Sequence, residues 1–341
     1  MNTKNFILCI FFAFASLSGF SRAPDWALAS FVRYTGNPVM TPVGEKGTWE
    51  SQNAYNPAVI YRNGKFWMLY RGENSDLTLR PENSKLNQEK KVYRSQIGLA
   101  WSTDGIKWMR YEKNPVLRAE LGYELPGGLE DPRLIEYNGT YYCYYTAYNP
   151  GGQGVRLCVA SSTDLKSWKK FGPIFPEALK NGAILMDPDN KPVKLNGKFV
   201  MYSSVGDMYF GQSDDLIHWD FKLMKVPFPQ TYYPLEFCIA LTNYEKSNNN
   251  ILIFIGGRLN GGPKAERWHY ALGQCLAKKS EPSKIVELMD EPFMIPTEPY
   301  EQKGFINYTL FFESLTRHNG EWWLYYGAAD HQIGLAKMKS W

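Results

Sequence analysis

A short turn followed by an aromatic, mostly apolar run recurs along the chain. It reads Asn63-Gly64-Lys65-Phe66-Trp67-Met68-Leu69-Tyr70, then Asn138-Gly139-Thr140-Tyr141-Tyr142-Cys143-Tyr144-Tyr145, then Asn196-Gly197-Lys198-Phe199-Val200-Met201-Tyr202. It closes as Asn319-Gly320-Glu321-Trp322-Trp323-Leu324-Tyr325-Tyr326, with a degenerate copy, Asn250-Ile251-Leu252-Ile253-Phe254-Ile255, between the third and the last. Asn-Gly between apolar runs signals a hairpin, because both residues accept the positive φ of a type I′ turn. A short strand precedes each turn. A further strand follows it, often ending on a serine, an aspartate and a tryptophan, as in Ser102, Asp104 and Trp108, Ser161, Asp164 and Trp168, and Ser213, Asp215 and Trp219. Those aspartates read as turn formers acting through their own side chains. A fourth element carries a proline, at Asn37-Pro38, Asn114-Pro115, Gly172-Pro173, Val226-Pro227 and Glu291-Pro292, which suits an edge strand. Five copies of a four-stranded unit predict an all-β chain, a five-bladed β-propeller whose N-terminal strand completes the last blade. The one helical pattern covers Glu177 to Asn181.

Composition sharpens this picture in three places. Aromatics make up 16% of the 341 residues, with 23 Tyr and 11 Trp, which suits strands and also suits stacking on sugar rings. The formal charge of +4 is scattered, so there is no nucleic-acid footprint. At the start, Lys4 precedes an apolar stretch from Phe6 to Phe20 and small residues before Arg22, the pattern of a secretory signal over residues 1–22. Residues 23–341 are then expected to form a single secreted or periplasmic domain, with no membrane insertion once the signal is removed. Cys143, Cys158, Cys238 and Cys275 fit no metal spacing and read as buried thiols, although Cys143 and Cys158 fall on neighbouring predicted strands.

In a propeller the innermost strand of each blade starts near the central channel. Seven residues before the first two turn asparagines stand Asn56 and Asp131; similar places in later blades hold Asp187 or Asp189, Glu236 and Glu313. Carboxylates gathered at one mouth are what a glycosidase needs, one protonated acid for the leaving oxygen and one to activate the nucleophile. Crowding also raises one carboxyl's pKa, keeping an acid protonated near neutral pH. No P-loop, no Gly-x-Ser-x-Gly and no zinc spacing competes, and the chemistry calls for no metal and no cofactor.

The residues that surround this mouth resemble glycoside hydrolase family 130. The similarity rests on Gly127-Gly128-Leu129-Glu130-Asp131-Pro132-Arg133 with Asn138-Gly139 and Tyr144-Tyr145-Thr146-Ala147. It continues in Asn56-Pro57-Ala58-Val59, Tyr70-Arg71, Lys180-Asn181-Gly182-Ala183 and Tyr326-Gly327-Ala328-Ala329-Asp330. Members of that family are inverting phosphorylases or hydrolases of β-mannosides. The resemblance implies Asp131 as general acid and Asn56, Arg71 and Asp330 as the groups that hold the mannose, with Lys180 also matched. In the phosphorylases the strand after the third turn runs into His-Arg, cations suited to phosphate. Here the place reads Met201-Tyr202-Ser203-Ser204, so hydrolysis is expected, with Glu313 or Glu236 as base for water; β-1,2-linked mannosides as substrate are implied by the resemblance alone. The alternatives are a phosphorylase producing mannose 1-phosphate and a non-catalytic glycan-binding propeller.

Overall fold

The structure, a computed structural model, describes residues 23–74, 94–225, 232–259 and 270–340. The expected signal segment and the proline element at Val226-Pro227 lie outside the described residues. The chain begins with a short strand β1 (Val32–Arg33), then runs through β2 (Asn53–Arg62), β3 (Lys65–Asn74), β4 (Arg94–Ser102) and β5 (Met109–Arg110). A second antiparallel run comprises β6 (Gly128–Tyr137), β7 (Thr140–Asn149), β8 (Gly154–Ser162) and β9 (Lys169–Pro173). The third holds β10 (Lys180–Met186), β11 (Lys194–Leu195), β12 (Lys198–Val205), β13 (Asp207–Ser213) and β14 (Asp220–Met224). The fourth holds β15 (Tyr232–Leu241), β16 (Asn250–Leu259), β17 (Tyr270–Lys278) and β18 (Glu281–Leu288). After a short helix, α1 (Pro299–Gln302), come β19 (Leu310–His318), β20 (Glu321–Ala328) and β21 (Gln332–Lys339).

This is an all-β, propeller-like arrangement of curled sheets. Two pairs of runs join through parallel bridges: Ser95 of β4 pairs with Gly128 of β6, and Leu185 and Met186 of β10 pair with Ala240 and Leu241 of β15. The two ends of the chain meet, as the sequence predicts, because β1 pairs with β21 at Val32–Lys337 and Arg33–Ala336. Across the same junction Ser314 and Thr316 of β19 donate to the carbonyls of Pro57 and Val59 on β2, at 3.1 and 3.0 Å.

Local chemistry explains these elements. Asn63-Gly64, Asn138-Gly139, Asn196-Gly197 and Asn319-Gly320 all have positive φ at both residues, the type I′ geometry whose twist matches the flanking strands. Asp104, Asp164 and Asp215 each accept backbone N–H groups two and three residues on, so they form turns as expected; the serine partner in the second case is Ser162, not Ser161. The prolines sit in the outer element: Pro173 lies on β9, and Phe293 after Pro292 bonds to Leu272. Where Pro38 and Pro115 remove a ladder donor, the preceding asparagine replaces it with its amide. Asn37 exchanges two hydrogen bonds with the backbone of Leu335, and Asn114 does the same with Leu99 at 2.8 and 2.9 Å.

One expectation fails and another holds. Glu177 to Asn181 forms no helix: the chain bends and enters β10 at Lys180, because the segment is too short to hold a helix without an apolar stripe. The four cysteines are buried free thiols, with Cys143 facing Ala160 and Cys158 facing Tyr145 across β7 and β8, so the two are not in register for a bridge. The aromatics go mainly to the core, where Trp322, Tyr55, Tyr70, Tyr144, Tyr145, Tyr202, Tyr325 and Tyr326 are fully buried. Phe66 of β3 stacks on Trp323 of β20 at 5.4 Å and Trp108 meets Tyr325 edge-on at 5.7 Å, so aromatic contacts join the first and last runs. Replacing Asn114 by Ala removes both amide bonds to Leu99 and should lower unfolding free energy by about 1–3 kcal/mol, measured as a shift of the urea midpoint.

Candidate active site

Each innermost strand carries an extra residue relative to its neighbour near the mouth, and β15 carries a second between Tyr232 and Leu235. The extra residue is Asn56 on β2, falls at Asp131-Pro132 on β6 and at Asn181-Gly182 on β10, and is Cys238 on β15 and Glu313 on β19. A bulge of this kind breaks the alternation of a strand and re-aims the side chain. Asn56, Asp131 and Asn181 adopt φ of 49, 52 and 61°, a conformation that Asn and Asp accept more readily than other side chains. The bulges therefore deliver polar groups to one mouth.

That mouth is a cavity of about 250 Å³ lined by Asn56, Arg71, Glu130, Asp131, Lys180, Glu236, Tyr270 and Asp330, with Ile306, Thr309 and Phe311 completing the wall. Six of the seven residues expected from the sequence thus meet there. The seventh, Glu313, does not line it. Its side chain is fully buried and lies 2.6 Å from Nη1 of Arg133, so it is no candidate to activate a solvent molecule in the pocket. Asp187 and Asp189 do not reach the mouth either. They sit in the turn beyond β10, where Asp187 accepts the N–H groups of Asp189 and Lys191; an excursion between β10 and β11 upsets the count of seven, and Asn181 takes the bulge position instead.

Around Asp131 the bonding is dense. Asn56 Nδ2 donates to Asp131 Oδ1 at 2.8 Å and Arg71 Nη1 donates to the same oxygen at 3.1 Å. Arg71 also pairs with Glu130 at 2.8 Å and with Glu73, and its guanidinium lies 4.9 Å from the centre of the Tyr55 ring. Glu73 is fixed from behind by Asn53, Tyr55 and Ser95 at 2.9, 2.9 and 2.6 Å. Below the pocket Arg133 donates to the carbonyls of Asp131 and Cys238, both at 3.2 Å, and holds the bulged backbone in place. A second cluster surrounds Glu236. It accepts from Lys180 Nζ at 2.6 Å, from Asn181 Nδ2 at 2.9 Å and from Tyr270 at 3.3 Å.

The lining holds four carboxyl groups against two cations, so their protonation diverges. Burial alone would raise Asp131, but Arg71, the Asn56 hydrogen bond, Lys180 and Arg133 together hold it below the usual carboxylate range. Glu130 is pushed up to about 7, by burial and by the charge of Asp131 against the pull of Arg71. Asp330 rises to about 8 for the same reasons. Burial would lower Lys180, yet Glu236 outweighs it and holds the amine above its ordinary value. Among the described residues no cluster of His, Cys, Asp or Glu is arranged to hold a metal ion.

Sequence reasoning passed over Glu130, Glu73 and Tyr270 as site residues. Glu73 could have been found, since it lies two residues from Arg71 on the same face of β3. Glu130 could not, because a regular strand would turn it away from the face that Asp131 occupies.

A family model for glycoside hydrolase family 130, described as β-1,4-mannooligosaccharide phosphorylase, matches residues 33–340. The chain belongs to glycoside hydrolase family 130. Within the family it is 32% identical to a 1,2-β-oligomannan phosphorylase and 33% identical to a β-1,2-mannobiose phosphorylase, both of Thermoanaerobacter sp., each match covering 90% of this chain and 96% of the relative. A solved glycosyl hydrolase from Bacteroides ovatus superposes with a TM-score of 0.79 at 32% identity, covering 93% of this chain and 96% of that one. Another solved structure, at 30% identity and TM-score 0.79, covers 93% and 95% of the two chains. It is described under the statement that this family of mannoside phosphorylases contains glycoside hydrolases that target β-1,2-mannosidic linkages in Candida mannan.

Two predictions follow from the electrostatics of this family 130 pocket. Arg71→Met leaves three buried carboxylates without their cation and should cost about 3–5 kcal/mol of stability at pH 8, and less at pH 5, by urea unfolding. Asp330 has a folded pKa near 8, above its unfolded value of about 3.9. The native state then binds the extra proton between those values, so its contribution to stability is full below pH 4 and is lost as pH rises towards 8. Asp330→Asn should flatten the fall in melting temperature between pH 5 and 8.

Proposed function

We propose that this family 130 member cleaves β-mannosides, with β-1,2-linked manno-oligosaccharides as substrate, by a single displacement that inverts the anomeric centre. Asp131 delivers the proton to the glycosidic oxygen, Asn56, Arg71 and Asp330 hold the mannose, and Glu236 activates the acceptor. In the resting pocket Asp131 is ionised, and the exchangeable protons sit on Glu130 and Asp330. A sugar that displaces water from the pocket raises Asp131 by desolvation, and the neighbouring acids hold a proton within the same cluster.

The acceptor separates two readings. The curated relatives are named as phosphorylases, and they support phosphate better than the water expected from the sequence. Lys180 and Arg71 would then be the cations that meet it. Water is favoured by one observation of the pocket: Lys180 is already neutralised by Glu236 at 2.6 Å, and Arg71 by Glu73, Glu130 and Asp131. Among the described residues the pocket wall offers a dianion no other cation, and it offers water a carboxylate base. We take hydrolysis as the reading on this ground. An acid and base of an inverting hydrolase stand about 6.5–9.5 Å apart, leaving room for that water.

As further parts of the proposal, the antiparallel runs are five blades of one domain spanning residues 23–341, and residues 1–22 direct export. The latter rests on the sequence pattern alone.

Incubation with β-1,2-mannobiose and longer homologues, with and without phosphate, tests the acceptor. Free mannose at a rate independent of phosphate is expected; phosphate-dependent mannose 1-phosphate would overturn hydrolysis and establish the phosphorylase. Asp131→Asn should lower kcat by about 100–10,000-fold, the range of acid catalysis; binding with no turnover by the parent chain would leave only a glycan-binding role. The rate should also decline between pH 7 and 8 as Glu130 and Asp330 lose their protons.

A further inference from the structure

The bonding around Asp131 is repeated around Glu236, one pair of blades further on. Asn56 sits at the bulge of β2 with φ 49°, is 3% exposed, and donates Nδ2 to Asp131 on the next innermost strand at 2.8 Å. Asn181 sits at the bulge of β10 with φ 61°, is 1% exposed, and donates Nδ2 to Glu236 on the next innermost strand at 2.9 Å. In each case the run that supplies the amide also supplies the cation, Arg71 from β3 to Asp131 and Lys180 from β10 to Glu236. In both pairs the amide must present its nitrogen, since its oxygen would be repelled by the carboxylate.

We propose that Asn181 is the positioning residue of Glu236, fixing that carboxylate towards the pocket as Asn56 fixes Asp131. The inference rests on the reading of Glu236 as the group that activates the acceptor. Lys180 alone would not fix the carboxylate, because an ammonium is a point charge on a flexible stem and accepts many approach angles. The amide of Asn181, locked in a buried bulge, binds the other oxygen and leaves the carboxylate one orientation. Asn181 does not itself line the pocket, so its loss should act on turnover rather than on binding.

A purely conformational role predicts something else. A bulge residue at φ 61° is satisfied by Gly, which has no Cβ to strain, and nearly so by Asp. Gly cannot donate to Glu236, and Asp sets a second carboxyl against it, where the two share a proton. The test compares Asn181→Gly and Asn181→Asp with the parent chain and with Glu236→Gln, reading product release from β-1,2-mannobiose alongside thermal unfolding. We expect both Asn181 variants to keep the parental fold and a KM within about threefold, while kcat falls by about 10–100-fold, the worth of one hydrogen bond to a charged group. Asn181→Gly turning over within about threefold of the parent, with Glu236→Gln inactive, overturns the positioning role alone. Glu236→Gln turning over at the parental rate overturns the reading of Glu236, and Asn181's role with it.

Discussion

The site depends on one backbone constraint, the extra residue in each innermost strand. A regular strand sends consecutive side chains to opposite faces, so Glu130 and Asp131 could not both enter one pocket. The bulge at Asp131-Pro132 removes that limit, and the pocket receives two adjacent acids from a single strand. The conformation needs outside support, and Arg133 provides it by donating to the Asp131 carbonyl while its charge faces the buried Glu313. The bulge at Asn56 is tied in turn to ring closure. Gly327 on β20 packs against Asn56, where any Cβ would overlap the amide oxygen, so the last run must lack a side chain where the first carries its pocket asparagine.

From that geometry the electrostatics follow. Arg71 touches three carboxylates, and its uneven reach sorts them. Asp131 receives Asn56 as well and ends below the ordinary range, while Glu130 and Asp330, less well served, end above it. Neighbouring acids with diverging pKa values are the arrangement that lets one pocket hold both a proton and a negative charge near neutral pH. Glu313 belongs to a different balance. Burial raises its carboxyl well above the ordinary value against the pull of Arg133 at 2.6 Å, so it contributes to the floor of the site rather than to its wall.

Much of this was legible in the sequence, for a physical reason. Turn chemistry is local: Asn-Gly pairs, Ser-x-Asp turns and Asn-Pro elements each specify their own backbone, and their repetition exposed the runs of strands. Asp131 and Asn56 fell at equal distance from their turns because their strands are built alike. The count failed at Asp187 and Asp189, since the excursion between β10 and β11 lengthens the path from bulge to turn. It also failed to separate Glu313 from Glu236. Both lie near a bulge, and only packing decides that one faces Arg133 beneath the pocket while the other meets Lys180 within it. Side-chain direction at a bulge is a tertiary property, which spacing does not encode.

The same reasoning bears on how one scaffold in family 130 can serve two acceptors. A cation at the position of Lys180 requires a negative partner, and a bound phosphate or a protein carboxylate can fill that requirement equally well by charge. Here Glu236 does so from β15. The strand that would add further cations, β12, adds none. Tyr202 sends its hydroxyl to the Pro282 carbonyl and Ser203 sends its own to the Lys180 carbonyl, and both residues are fully buried. Lys180 and Glu236 each supply the charge the other needs, and removing either partner would leave the other unpaired at a cost of about 3–5 kcal/mol.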